Sequence, residues 1–253
     1  MTRIVVLSDL QCPSHDPRAV DAVQRFVRWY KPDELLCVGD EADSPEPSQW
    51  EKGRAAEYGG TLQHGLDTTA EVMAGFRRAL GSGPRFRVMR SNHTDRTEKY
   101  VRKYAPALMG IRNLDITKLL GYDDAGIEYL RQITEVAPGW VMAHGDEGGL
   151  NRTAGGTALG LARKVGRSVV CGHTHRLGLQ HEAIGFGGRI LQTLYGFEVG
   201  HLMSLRSAGY LATGAANWVQ GFGLLLVDGK NVQPVPVPIV GGRFTVDRKT
   251  FEL

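Results

Sequence analysis

At 253 residues, with 42% hydrophobic and 23% charged side chains, the chain can bury one sizeable core and is neither disordered nor fibrous in composition. Thirty basic against twenty-seven acidic residues leave a formal charge of +3, too near balance to argue for wrapping a nucleic-acid backbone. Cys12, Cys37 and Cys171 form no CxxC pair, the apolar segment after Met-Thr-Arg is too short for a signal peptide, and no stretch nears the roughly 20 apolar residues of a membrane span. A soluble cytoplasmic protein with no membrane partner is therefore expected.

Ile4 to Leu7 is an unbroken aliphatic run that reads as a fully buried strand, with Asp9 just past its end. Asp16-Pro17 is a cap followed by proline at the first helical position, and Val20, Val23, Phe26, Val27 and Tyr30 recur at helical spacing before Pro32. A second buried strand, Leu35 to Val38, ends in Gly39-Asp40. A helix over Thr61 to Leu80 leads to a third strand, Phe86 to Met89, which runs into Ser91-Asn92-His93. Thr94 to Leu120 mixes helix and loop, with a helix beginning just after His93, and Ile127 to Val136 reads as short strands. Trp140 to Ala143 ends at His144-Gly145-Asp146, a helix covers Thr153 to Lys164, and Ser168 to Cys171 ends at Gly172-His173-Thr174-His175. From Leu177 onward the chain is strand-rich, with Pro234 to Pro238 marking an edge strand. Alternating strands and helices followed by closely spaced strands predict an α/β protein, a layered αββα sandwich of two mixed β-sheets flanked by helices, in one domain over 1–253.

Five segments thus place metal-capable side chains beyond the carboxyl end of a buried apolar run: Asp9, Asp40, Asn92 with His93, His144, and His173 with His175. In open α/β sheets ligands bind in the crevice outside those ends, so these residues are expected to converge. A lone aspartate after a strand is usually a turn or a cap. The ordered set resembles the calcineurin-like metallophosphoesterases, whose pattern is Asp-x-His, Gly-Asp, Gly-Asn-His, His and Gly-His-x-His; it reads here as Asp9-Leu10-Gln11, Gly39-Asp40, Ser91-Asn92-His93, His144-Gly145 and Gly172-His173-Thr174-His175.

That resemblance implies two divalent metals, with manganese favoured and iron, zinc or magnesium fitting the same thiolate-free donors. Asp40 would bridge them, Asp9 and His175 would hold the first, and Asn92, His144 and His173 the second. His93 would be no ligand but would protonate or stabilise the leaving alkoxide, and a hydroxide between the metals would attack phosphorus. The implied activity is hydrolysis of a phosphate ester, with a small or cyclic nucleotide diester as the expected substrate. A nuclease, a protein phosphatase and a non-catalytic scaffold are the competing readings, and a homo-oligomer stays open.

Gln11 departs from the pattern: as a ligand of the first metal, its amide oxygen is a weaker donor than imidazole, so looser binding is expected there. Ser91 in place of glycine is expected to matter little, and Cys12 is read as packing. Asp43 and Arg96, each three residues beyond a motif residue, are substrate-binding candidates facing the cleft. His201 and the Asn217 to Gln220 segment offer an aromatic and amides that could shape a pocket, although Trp218 by itself reads as core. His15, His64 and His181 match no motif and read as surface.

Overall fold

The computed structural model describes residues 1–49, 51–53, 57, 59–207 and 217–253. Its first sheet has the order β11-β10-β1-β2-β3-β4, from β1 (Thr2–Leu7), β2 (Glu34–Cys37), β3 (Arg85–Met89), β4 (Glu128–Leu130), β10 (Gly221–Asp228) and β11 (Asn231–Pro238). β1 to β4 run parallel, and β10 and β11 pair antiparallel. The second sheet has the order β5-β6-β7-β9-β8, from β5 (Thr134–Ala137), β6 (Trp140–Met142), β7 (Ser168–Cys171), β8 (Leu177–Phe186) and β9 (Arg189–Val199). A hairpin of β12 (Arg243–Val246) and β13 (Lys249–Glu252) closes the chain.

The alternation of side chains along β1 explains the layering. Ile4 and Val6 point into the space between the sheets, where they meet Leu36, Val38 and Met89 and, from the second sheet, Trp140, Met142, Val170 and Phe197. Val5 and Leu7 point the other way, into a cluster built with α1 (Pro17–Tyr30) and α2 (Leu62–Leu80). A strand buried on both faces needs apolar residues at every position, which is why the run is unbroken. After β3, α3 (Asp95–Tyr104) begins just past His93. On the far side of the molecule, α4 (Gly156–Val165) lays Ala158, Leu159, Leu161 and Ala162 against Val169, Cys171 and Leu194. The result is helix, sheet, sheet, helix, with both sheets mixed, as expected.

Local chemistry sets the boundaries. Asp16 caps α1 by accepting from the amides of Arg18 and Ala19 at 3.0 and 3.3 Å. α4 begins at Gly156, three residues later than the sequence suggests, because Asn151 Oδ1 first takes the Thr153 amide in a local turn. The stretch from Ile127 to Val136 yields two strands in different sheets, β4 and β5, so neither shows a periodic pattern long enough to delimit it. The proline-bearing strand lies at the edge as expected, since β11 pairs on one side alone. All three cysteines are buried free thiols, Cys12 among the core of α1 and α2. No described helix is long and apolar enough to cross a membrane.

Candidate metal centre

The parallel strands β1, β2 and β3 of one sheet and β6 and β7 of the other deliver their carboxyl ends to a common rim. Asp9 follows β1, Asp40 follows β2, Asn92 and His93 follow β3, His144 follows β6, and His173 and His175 follow β7. The backbone turns sharply there. Of nine non-glycine residues with positive φ among the described residues, five are Asp9 (49°), Gln11 (56°), Asp40 (52°), His173 (67°) and His175 (57°). Each such turn costs on the order of 1–3 kcal/mol and persists where function requires it. Two glycines permit the close approach: a Cβ on Gly172 would lie 2.4 Å from Asp9 Oδ2, and one on Gly39, at φ 103°, would lie 2.7 Å from His144 Nδ1.

Asp40, His144 and His173 present ligand atoms that all lie within 4.8 Å of one another, the one such acidic, histidine or cysteine trio among the described residues. His144, fully buried, has Nδ1 2.8 Å from the Val38 carbonyl, so that nitrogen donates and Nε2 carries the lone pair. Yet Nε2 lies 2.8 Å from Asn92 Oδ1 and 3.4 Å from Asp40 Oδ1. Three lone-pair donors aimed at each other demand a proton or a cation between them. A proton on His144 Nε2 can fill that role: burial opposes it, but the charge of Asp40 outweighs burial and pushes His144 up to about 10. Asp40 is correspondingly held well below the usual carboxylate range, against burial, by His144 and His93. Burial and the neighbouring His144 lower His173. This donor set, carboxylate, two imidazoles and an amide oxygen, fits a divalent cation.

Asp9 and His175 form a second pair. Asp9, fully buried, receives Ser8 Oγ and, at 2.9 Å, the His173 amide on Oδ2, while Oδ1 lies 3.1 Å from His175 Nε2. Burial works against both charges, but each holds the other: Asp9 is lowered and His175 raised. Asp9 Oδ1 and His175 Nδ1 make no hydrogen bond among the described residues. Gln11 stands between the pairs, its amide nitrogen donating to Asp40 Oδ2 at 3.1 Å, so the group turned toward Asp40 is a donor and not the oxygen expected to ligate.

His93 sits apart from the trio, its Nε2 3.7 Å from Asp40 Oδ2. Its Nδ1 lies 3.0 Å from both the carbonyl and the carboxylate of Asp43, and its Nε2 lies 2.9 Å from an Arg96 guanidinium nitrogen. Guanidinium only donates, so Nε2 accepts and Nδ1 carries the hydrogen toward Asp43. Arg96 also donates to the Asp43 carbonyl at 2.6 Å, tying the loop after β2 to the first turn of α3.

Other functional groups lie outside the motifs. Glu147 accepts from the amides of His144 (3.3 Å) and Gly145 (2.8 Å), and Arg90 pairs with Asp146 (2.5 Å) and Asp95 (2.7 Å) across the rim. The carboxylates directly after His144-Gly145 were the available signal. His201 is fully buried beside His175 with ring centroids 5.5 Å apart, and neither ring nitrogen makes a hydrogen bond among the described residues. Burial and then the His175 charge push it down to about 4. Its signal was a sixth strand end, Phe197-Glu198-Val199 before Gly200-His201, in which Glu198 interrupts the apolar run. Trp218 is not core: it is half-buried, with its ring 4.3 Å from that of His175. His64 and His181 are exposed, whereas His15 is half-buried.

No protein-family model matches the chain. It is 40% identical over 254 residues to the Gene 54 protein of Mycobacterium phage D29 and 38% identical to that of Mycobacterium phage L5, in each case across 99% of both chains. Solved structures similar to it include Vps29 from Entamoeba histolytica complexed with zinc (15% identity, TM-score 0.47, 99% of this chain and 100% of that one) and Vps29 from Chaetomium thermophilum (13%, 0.47, 100% and 99%).

Proposed function

The chain belongs to the family of the Gene 54 proteins of mycobacteriophages D29 and L5, and we propose that it is a metal-dependent phosphoesterase of the calcineurin-like type, acting on a phosphodiester of nucleotide kind. The observation that supports this most is the convergence of His144 Nε2, Asn92 Oδ1 and Asp40 Oδ1, lone pairs left facing one another at the rim of two sheets.

Asp40, His144, His173 and Asn92 would hold one divalent cation, and Asp9 and His175 a second beside Asp40. Such cations neutralise phosphate charge and make bound water acidic enough to attack near neutral pH. The remaining work falls to side chains. Asp43 keeps the His93 hydrogen on Nδ1 and fixes the ring, so Nε2 faces the cleft. A substrate phosphate would compete with His93 Nε2 and the Asp43 carbonyl for Arg96, since guanidinium pairs best with an anion. Once released, His93 can take up a proton at Nε2 and deliver it to the leaving oxygen.

The test is hydrolysis of bis(p-nitrophenyl) phosphate and p-nitrophenyl phosphate by metal-stripped protein given manganese. Wild type should turn over the diester, and His93→Ala should lose about 10²–10⁴-fold in rate. Gln11, which removes an imidazole from the pattern, favours a non-catalytic binding protein instead, and no turnover with manganese, iron, zinc or magnesium would establish that reading.

A further inference from the structure

The helix that starts just after His93, α3, carries a pattern that the metal centre leaves unexplained. Arg96, Lys99, Tyr100 and Lys103 follow i, i+3, i+4, i+7 and share one face. That face walls a cavity of about 190 Å³ in which Asn92, a residue of the metal centre, also takes part. Four cations line it, Lys52, Arg96, Lys99 and Lys103, against two carboxylates, Glu46 and Glu57, with Arg96 also 3.3 Å from Asp43 and Lys99 3.3 Å from Asp95. The lining carries two more cations than carboxylates, and Lys52 and Lys103 are the two with no carboxylate partner among the described residues.

Aromatic rings line the same cavity. Tyr100 and Tyr104 are 46% and 48% exposed, with ring centroids 4.8 Å apart. Lys52 Nζ lies 4.7 Å and Lys103 Nζ 5.0 Å from the Tyr104 ring, and neither lysine pairs with a carboxylate among the described residues. Cation–π contacts at exposed positions contribute only about 0.5–1 kcal/mol each. Rings that stack bases, interleaved with cations that follow a backbone, are how single-stranded nucleic acid is held without sequence reading. Length selects between a mononucleotide and a strand. At about 1.5 Å per residue, Arg96 to Lys103 spans roughly 10 Å, against a rise of roughly 3.4 Å per nucleotide in a strand whose bases stay stacked. That is room for two or three nucleotides.

We propose that this face of α3 is a binding track for single-stranded nucleic acid, lying next to the centre where the scissile phosphate would sit. The inference rests on the phosphoesterase reading for its chemistry but makes a binding claim that stands by itself. A fluorescein-labelled oligonucleotide of about ten nucleotides is titrated with the full chain in chelator, and anisotropy is followed across a series of salt concentrations. Wild type should bind, with affinity falling steeply as salt rises. Lys99→Ala combined with Lys103→Ala should weaken binding about tenfold or more and lower the slope of log K against log salt by about 1.4, roughly 0.7 for each phosphate no longer neutralised by an ammonium group. Lys99→Arg with Lys103→Arg should restore the slope, and Tyr100→Phe should bind as wild type.

An alanine double variant that folds, by its circular dichroism and melting, and keeps the wild-type slope overturns the proposal. So does a 2′,3′-cyclic mononucleotide competing as strongly as the oligonucleotide, because it would show a site one nucleotide long. Hydrolysis of bis(p-nitrophenyl) phosphate by the wild type reports on the chemistry alone: its absence removes the enzyme while the anisotropy still decides the track.

Discussion

The first sheet buries charge at both of its ends, and treats it in opposite ways. At the amino end, Glu34 of β2 and Arg87 of β3 are 3% and 4% exposed and meet at 2.5 Å, with Arg87 also donating to the Glu135 carbonyl of the second sheet at 3.3 Å. At the carboxyl end the same strands lead to Asp40, Asn92 and His93, where His144 Nε2 faces Asn92 Oδ1 and Asp40 Oδ1, and Asp9 Oδ1 has the His175 ring nitrogen at 3.1 Å as its partner. Glu34 and Arg87 neutralise each other, although Arg87 Nη2 makes no hydrogen bond among the described residues, and breaking such a buried pair strands a charge. Acceptors left facing acceptors call for a proton or a cation between them, and that is what distinguishes the carboxyl end.

The contrast should break cleanly under substitution. Asp40→Asn keeps an oxygen for the His93 amide but removes the charge around which the trio is built, so diester hydrolysis should fall by about 10³-fold and bound manganese should drop in elemental analysis. Glu34→Ala should do the reverse. It leaves Arg87 buried and unpaired, costing about 3–5 kcal/mol and lowering the melting midpoint by roughly 10 °C, while turnover per folded molecule stays at the wild-type level. Equal losses of activity in the two variants, after correction for folded fraction, would erase the distinction between the ends.

The carboxyl end was legible in the sequence because it repeats one device: a short apolar run followed at once by polar side chains. Asp9, Asp40, Asn92, His93, His144, His173 and His175 all reach the rim by that device. The amino end was illegible, because Glu34 and Arg87 lie 53 residues apart and nothing local says they meet. Supporting contacts were hidden for the same reason: Arg90 reaches Asp146 across 56 residues. His201 lacked the device, since Glu198 interrupts the run before it, and its strand follows the irregular spacing of β8 and β9, whose hairpin carries a register shift at Ile184 to Gly185. Glycines gave the rest of the signal, since Gly39 and Gly172 stand where any side chain would strike His144 or Asp9.

The smallest expected effect divides the rim itself. On the Asp40 side three ligand atoms already converge within 4.8 Å, while on the Asp9 side no third histidine, cysteine or carboxylate closes to that distance among the described residues, and Gln11 offers an amide. Neutral amide oxygen binds a divalent ion more weakly than imidazole, so the two sites should fill at different metal concentrations. Calorimetric titration of stripped protein with manganese should show two steps, and Gln11→His should tighten the weaker by about tenfold, or about 1.4 kcal/mol, while leaving the stronger in place. The added imidazole would also lose the amide hydrogen bond to Asp40, so the gain is smaller than a free ligand would give. A variant whose two steps coincide with those of wild type would mean that Gln11 lies outside the coordination sphere, and that the asymmetry comes from burial of Asp9 and His175 instead of from the ligand that replaced histidine.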